Sequence, residues 1–216
     1  MTTLHGVEVL DVPYGDRVLH YNPLSHEYHL DSMPLKSTTQ YLKDAGYCRL
    51  WNGNGDAATI GRYKHEATAL DDLGDLDMDT LDPKLVAAVE LWRQFKREYD
   101  FVPDLDLMER PCFHPTYLYA GTPDVPGFLR GTPCVIEKKF GAKERWHHLQ
   151  VGGAYTPMLA SHYPRYKGAE SYLVYMSDGA NKPDVVPVND KRLPGLFLSI
   201  VATVNGRGLY GPNGRA

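Results

Sequence analysis

The stretch that most constrains this chain is CVIEKKF at residues 134–140, a short apolar strand that ends in charge. A second strong strand, SYLVYMS, follows at 171–177, and a helical pattern from about Arg145 to Ala160 separates the two. Helices and a strand-turn-strand pattern lie upstream. This order predicts an α/β fold: a central mixed β-sheet flanked by helices on both sides.

The remaining elements follow from local signals. Residues 18–31 read as two strands broken at Asn22-Pro23. Ser37, Thr38 and Thr39 cap a short helix that Gly46 stops. NGNGD at 52–56 reads as a loop and Ala57–Leu70 as a helix. Asp82-Pro83 opens a helix that runs to about Tyr99, with Val86, Val89, Trp92, Phe95 (or Lys96) and Tyr99 on one stripe. Residues 108–120 read as strands, VPGFLRGTP as a turn, and DGANK as a hairpin turn before DVVPV. A last helix starts near Arg192. No repeat or linker divides the chain. It reads as one domain over 1–216, with an N-terminal hairpin and helices over 18–100, a core over 105–180, and a C-terminal hairpin and helix over 180–205.

Bulk properties narrow the function classes. A chain of 216 residues with 43% hydrophobic and 23% charged residues can bury a sizeable core. No apolar run reaches membrane-spanning length, and the N-terminus lacks a basic start followed by an apolar core. The three scattered cysteines, Cys48, Cys112 and Cys134, argue against a disulfide framework or a metal–thiolate module, and a cytoplasmic setting is expected. Asp75, Asp77 and Asp79 begin like a calcium loop, but Thr80 replaces the required glycine and Val86 the bidentate Glu. The net charge of −4 confines any contact with a polyanion to a local strip. One basic stretch exists: Arg130, Lys138, Lys139, Lys143 and Arg145, followed by His147 and His148.

The same stretch carries a candidate site. Asp124 ends one predicted strand, and Glu137-Lys138-Lys139 ends the next. If the two strands pair, Asp124 and Glu137 lie side by side. Glu137 and Lys139 are two apart and share one strand face. Paired carboxylates suit a hard cation such as Mg²⁺, and a neighbouring ammonium suits developing negative charge at phosphorus.

GTPD followed thirteen residues later by the Glu of VIEKK resembles the PD-(D/E)XK nuclease superfamily, as Asp124…Glu137-Xaa-Lys139. The RecB-type and phage-exonuclease branch is most similar. IGRYKHEA (60–67) resembles its upstream helix, where His65 matches a metal-site histidine. LYAGTPDV resembles its strand into the Asp. WHHLQVGGAY (146–155) resembles its downstream helix, where Gln150 matches a residue that holds DNA. The matching Tyr155 stands five residues on instead of four. On a regular helix that rotates it away from Gln150, and core packing is the other reading of it. Phe140 replaces the small hydroxyl residue often found after the Lys.

The resemblance implies a restriction-endonuclease-like core and a Mg²⁺- or Mn²⁺-dependent DNA nuclease, most of all an exonuclease in phage-type recombination or repair. It implies metal binding by His65, Asp124, Glu137 and the Lys138 carbonyl, and catalysis by Asp124, Glu137 and Lys139. DNA contacts are expected from Gln150, Tyr155, Lys138, Lys143 and Arg145, with Trp146 placed to stack on a base or to fill the core. The expected partners are DNA and, by family likeness, further copies of the chain or a single-strand annealing protein. A structure-specific or restriction-type endonuclease and a non-catalytic DNA-binding subunit are the alternatives.

Overall fold

The structure, a computed structural model, describes residues 2–4, 7–48 and 55–211. Most of the loop expected at 52–56 lies outside them. Two sheets organise the chain, where the sequence suggested one. The first is a five-stranded mixed sheet ordered β12-β11-β10-β9-β6. Its strands are β6 (Phe101–Pro103), β9 (Val125–Leu129), β10 (Thr132–Lys139), β11 (Glu170–Tyr175) and β12 (Asp184–Pro187). Only β10 and β11 pair in parallel. A parallel pair needs a long crossover. Here it is a continuous helical stretch: α4 (Trp146–His148), a π-helical segment (Leu149–Tyr155) and α5 (Thr156–His162).

Alternation along β10 decides which side each residue serves. Cys134 and Ile136 pack with Leu91, Trp92 and Phe95 of α3 (Pro83–Tyr99). Val135 packs on the opposite face with Val151, Ala154, Tyr155 and Met158 of the crossover, and with Phe197 of α6 (Leu193–Tyr210). Helices therefore cover both faces. On α3 the buried stripe is Val89, Trp92 and Phe95, with Lys96 turned to ion pairs with Asp71 and Asp72 of α2 (Gly55–Leu73).

VPGFL, expected as turn, is strand β9. The turn is confined to Arg130 and Gly131, both at positive φ (50° and 77°), which suits a two-residue hairpin. Pro126 is tolerated because its carbonyl accepts from the Asp104 N–H at 2.9 Å. Its missing N–H therefore faces the same side, just past the end of β6, and costs β10 no bond.

The second sheet runs β1-β2-β3-β4-β5-β8-β7. It comprises β1 (Thr2–Leu4), β2 (Val7–Tyr14), β3 (Arg17–Asn22), β4 (Glu27–Leu30), β5 (Met33–Ser37), β7 (Cys112–Phe113) and β8 (Tyr119–Gly121). The expected hairpin is its β3–β4 pair. The strands expected over 108–120 shrink to β7 and β8. Helix α1 (Thr38–Asp44) starts on a capping box between Ser37 and Gln40. Chain 122–124 crosses from β8 in one sheet to β9 in the other, so Asp124 stands at their junction. No helix among the described residues is long and apolar enough to cross a membrane.

Candidate metal and phosphate site

Register places the first pair. Ile136 faces Val125 across the β9–β10 hairpin, so Asp124 and Glu137 are the next positions out. The Lys138 N–H donates to Asp124 Oδ2 at 2.7 Å, and the Asp124 N–H points to Glu137 Oε2 at 3.4 Å. In an extended strand the N–H and C=O of one residue leave the same edge. The Lys138 carbonyl therefore faces the side where Asp124 sits, beyond the last pairing with β9. Asp124 precedes β9 rather than ending an earlier strand.

Two further elements close on this pair. Helix α2 brings His65, whose Nδ1 is 3.6 Å from Asp124 Oδ1. The loop after β6 brings Glu109, whose Oε1 is 3.7 Å from the same nitrogen. Potential ligand atoms of His65, Glu109 and Asp124 lie within 4.8 Å of one another. Glu109 escaped the sequence reading because its surroundings, MERP, were taken as strand and no spacing motif marks it. The backbone marks it instead. Its φ is 49°, unusual for a non-glycine residue, and its N–H is tied to the Asp124 carbonyl at 2.9 Å. A strained conformation held by a bond to the site's own aspartate aims this side chain.

The donor set fits a hard divalent cation. Glu109 Oε1 is buried with no hydrogen-bond donor among the described residues. Lys138 Nζ and His65 Nδ1 each stand 3.7 Å from it, too far for a hydrogen bond, so a cation closer in would complete the acceptor. Burial and the neighbouring Asp124 carboxylate raise the Glu137 pKa to about 7. Burial lowers the His65 pKa, but the Asp124 and Glu109 carboxylates outweigh it and hold the ring's pKa above its usual value. Crowded carboxylates of this kind are what a cation relieves. Oxygen donors with one imidazole suit a hard divalent cation.

Beyond the acids runs a polar chain. Lys139 Nζ donates to Glu137 Oε1 at 2.9 Å and to Gln150 Oε1 at 3.1 Å, and Gln150 Nε2 donates to the Tyr155 hydroxyl at 3.0 Å. Burial disfavours the Lys139 ammonium, yet Glu137 and Asp124 raise its pKa on balance. Tyr155 does not rotate away. The helix is π-form at this point, with Thr156 N–H reaching back to the Val151 carbonyl, and a residue five places on then returns to the same face.

Three residues expected to contact DNA lie off the polar chain. The Lys138 side chain is fully buried on the α3 face, donates to Thr68 Oγ1 at 2.9 Å and lies over Trp92. It alternates away from Glu137 and Lys139 and stands 3.7 Å from Glu109 Oε1. Lys143 is exposed, paired with Asp184 of β12, and lines neither cavity beside the acids. Arg145 is exposed and also lines neither. Trp146 is half-buried, with Lys139 Nζ 5.9 Å from its ring centre.

No family model matches the chain, and no curated protein matches it. Among solved structures the chain is similar to one named "Putative exonuclease" from Eubacterium rectale, at 13% identity. The match covers 83% of this chain and 81% of that one, with a TM-score of 0.49.

Proposed function

We propose that this chain is a metal-dependent nuclease with a single restriction-endonuclease-like core that hydrolyses DNA phosphodiesters. One observation carries the reading: His65, Glu109, Asp124, Glu137 and Lys139, drawn from four separate segments, converge beside a cavity of about 700 Å³. His65, Glu109 and Asp124 would hold the cation, with Glu137 and the Lys138 carbonyl beside them. Mg²⁺ or Mn²⁺, when bound, neutralises phosphate charge and acidifies a water molecule. Lys139 donates to the attacked phosphate or orients the attacking water, and Glu137 is placed to take its proton. Gln150 fixes Lys139, and Tyr155 fixes Gln150. Exonucleolytic end processing in phage-type recombination or repair belongs to the same proposal.

The test is digestion of end-labelled linear DNA and closed circular DNA by purified protein with Mg²⁺, Mn²⁺ or chelator. Metal-dependent loss of linear DNA that spares the circle is expected, and Asp124→Asn or Lys139→Ala abolishes it. Cleavage that survives either substitution refutes the assignment. Cutting of the circle makes the enzyme an endonuclease.

A further inference from the structure

Two cavities meet at Arg62 and His65, and their walls differ in kind. The first, about 700 Å³, is lined by groups such as Ser37, Thr39, Gln40, Thr59 and Thr122. Its tyrosines are already engaged. Tyr21 and Tyr28 stack on each other at 4.7 Å, and their hydroxyls bond to His26 and Thr122, each at 2.9 Å. Such a wall offers hydrogen bonds and no free ring face. It suits the sugar–phosphate backbone of a strand.

The second cavity, about 1110 Å³, has Tyr47, Ile60, Phe140 and Trp146 in its wall, with Glu144 and Asp178 among its charged groups. Tyr47 is 54% exposed. Among the described residues it has no ring or cation neighbour and its hydroxyl no hydrogen bond. Trp146 meets His147 edge-on at 4.2 Å, has Lys139 Nζ 5.9 Å from its ring centre and packs one side on the core, and its indole N–H has no acceptor among the described residues. Arg62 and His65 of α2 line both cavities, and Lys139 lines the second. Arg62 is exposed and has no carboxylate within ion-pair distance among the described residues. Lys64, in contrast, is neutralised by Asp178.

We propose that the second cavity is a subsite for an unpaired nucleobase of the strand being cut, stacked against Tyr47 or Trp146, with Arg62 and Lys139 on the phosphates that bracket it. This deepens the nuclease reading by naming its substrate: a single strand, or a duplex end already opened. A base inside a duplex has both faces covered by its neighbours. Such a base gains nothing from aromatic walls, whereas an unstacked one recovers stacking there.

The test uses the full chain in chelator, so that binding is read without cleavage. A single-stranded oligonucleotide with 2-aminopurine near one end is titrated by fluorescence against a strand of equal length whose terminal residues are abasic. The base-bearing strand is expected to bind on the order of ten-fold tighter, with quenched fluorescence. Tyr47→Ala and Trp146→Leu, taken together, should erase both the preference and the quench. Equal affinity for base-bearing and abasic strands overturns the subsite. So does a preference that survives both substitutions, a blunt duplex that binds as tightly as the single strand, or no binding at all. Cleavage assayed separately with Mn²⁺ keeps the two readings apart. Cleavage without base preference leaves the nuclease and removes the subsite. Base preference without cleavage leaves the subsite and removes the nuclease.

Discussion

Lys138 and Lys139 are neighbours in sequence with opposite assignments, and Lys138→Met separates them. The wild-type ammonium is fully buried, donates to Thr68 Oγ1 at 2.9 Å and stands 3.7 Å from Glu109 Oε1. Methionine preserves most of the chain length and apolar packing but deletes the charge. A hydrogen bond from a charged group contributes about 1.5–3 kcal/mol. The Glu109 side chain is 36% exposed, so its Coulomb share is small. A loss of about 2 kcal/mol follows from these terms together. For a chain of this size that lowers the melting temperature by about 4–8 °C. The second readout is electrostatic. On a single strand each phosphate neutralised adds about 0.7 to the slope of log affinity against log salt. A side chain on the α3 face neutralises none, so the slope for single-stranded DNA, measured by anisotropy in chelator between about 50 and 200 mM salt, should not change. Arg62→Ala should lower the same slope by about 0.7. A fall of that size in Lys138→Met, with unchanged melting, would refute the burial argument and restore Lys138 to the DNA-facing strip.

Three other expectations test separate parts of the structure. Glu109→Gln keeps the side chain's shape but removes a cation ligand, so calorimetric Mn²⁺ affinity should fall at least about ten-fold; unchanged affinity would remove Glu109 from the site. Gly121→Ala places a Cβ 2.6 Å from Tyr155 Cε1. It should cost about 1–3 kcal/mol through overpacking, less in a Tyr155→Leu background, and an equal penalty in both would deny the contact. Burial, then the Lys139 charge, lowers the His147 pKa to about 3 from 6.5. The folded state then binds fewer protons than the unfolded chain, so the stabilisation is complete above pH 6.5 and disappears as pH falls toward 3. His147→Asn should flatten that part of a melting-against-pH series, and an unaltered slope would place the titration elsewhere.

What the sequence disclosed tracks how local each signal is. Val135-Ile136 before Glu137 forms a buried strand whatever surrounds it, and period two then dictates that Glu137 and Lys139 share a face. The same rule sends Lys138 to the other side. A strand of DNA held at Glu137 and Lys139 therefore meets the face opposite the Lys138 side chain. Strand β9 was hidden by Pro126 and Gly127, which break strands in isolation. Gly127 is there because a Cβ would lie 2.5 Å from the Val102 carbonyl of β6, a contact that exists only once the sheet has formed. Glu109 depended on the fold even more. Its αL backbone and its bond to the Asp124 carbonyl join segments fifteen residues apart, and no run of local residue types encodes that.

The five-residue interval from Gln150 to Tyr155 shows how a local misfit can carry information. Five residues of α-helix turn through about 500°, which leaves the second side chain roughly 140° away from the first. The interval is useful only if the helix widens there, and the intervening Gly152 and Gly153 let it do so. A Cβ on Gly152 would lie 2.8 Å from Val188 Cγ1, and one on Gly153 would lie 3.0 Å from the Leu193 carbonyl. The widened turn therefore presses its bare backbone against the start of α6 and the residue after β12. That packing offsets the poorer hydrogen bonding of a π-turn, and it rotates Tyr155 to within 3.0 Å of Gln150. The spacing and the paired glycines are one feature: an extra residue needs a backbone thin enough to hold it, and the chain Tyr155–Gln150–Lys139–Glu137 is what that residue completes.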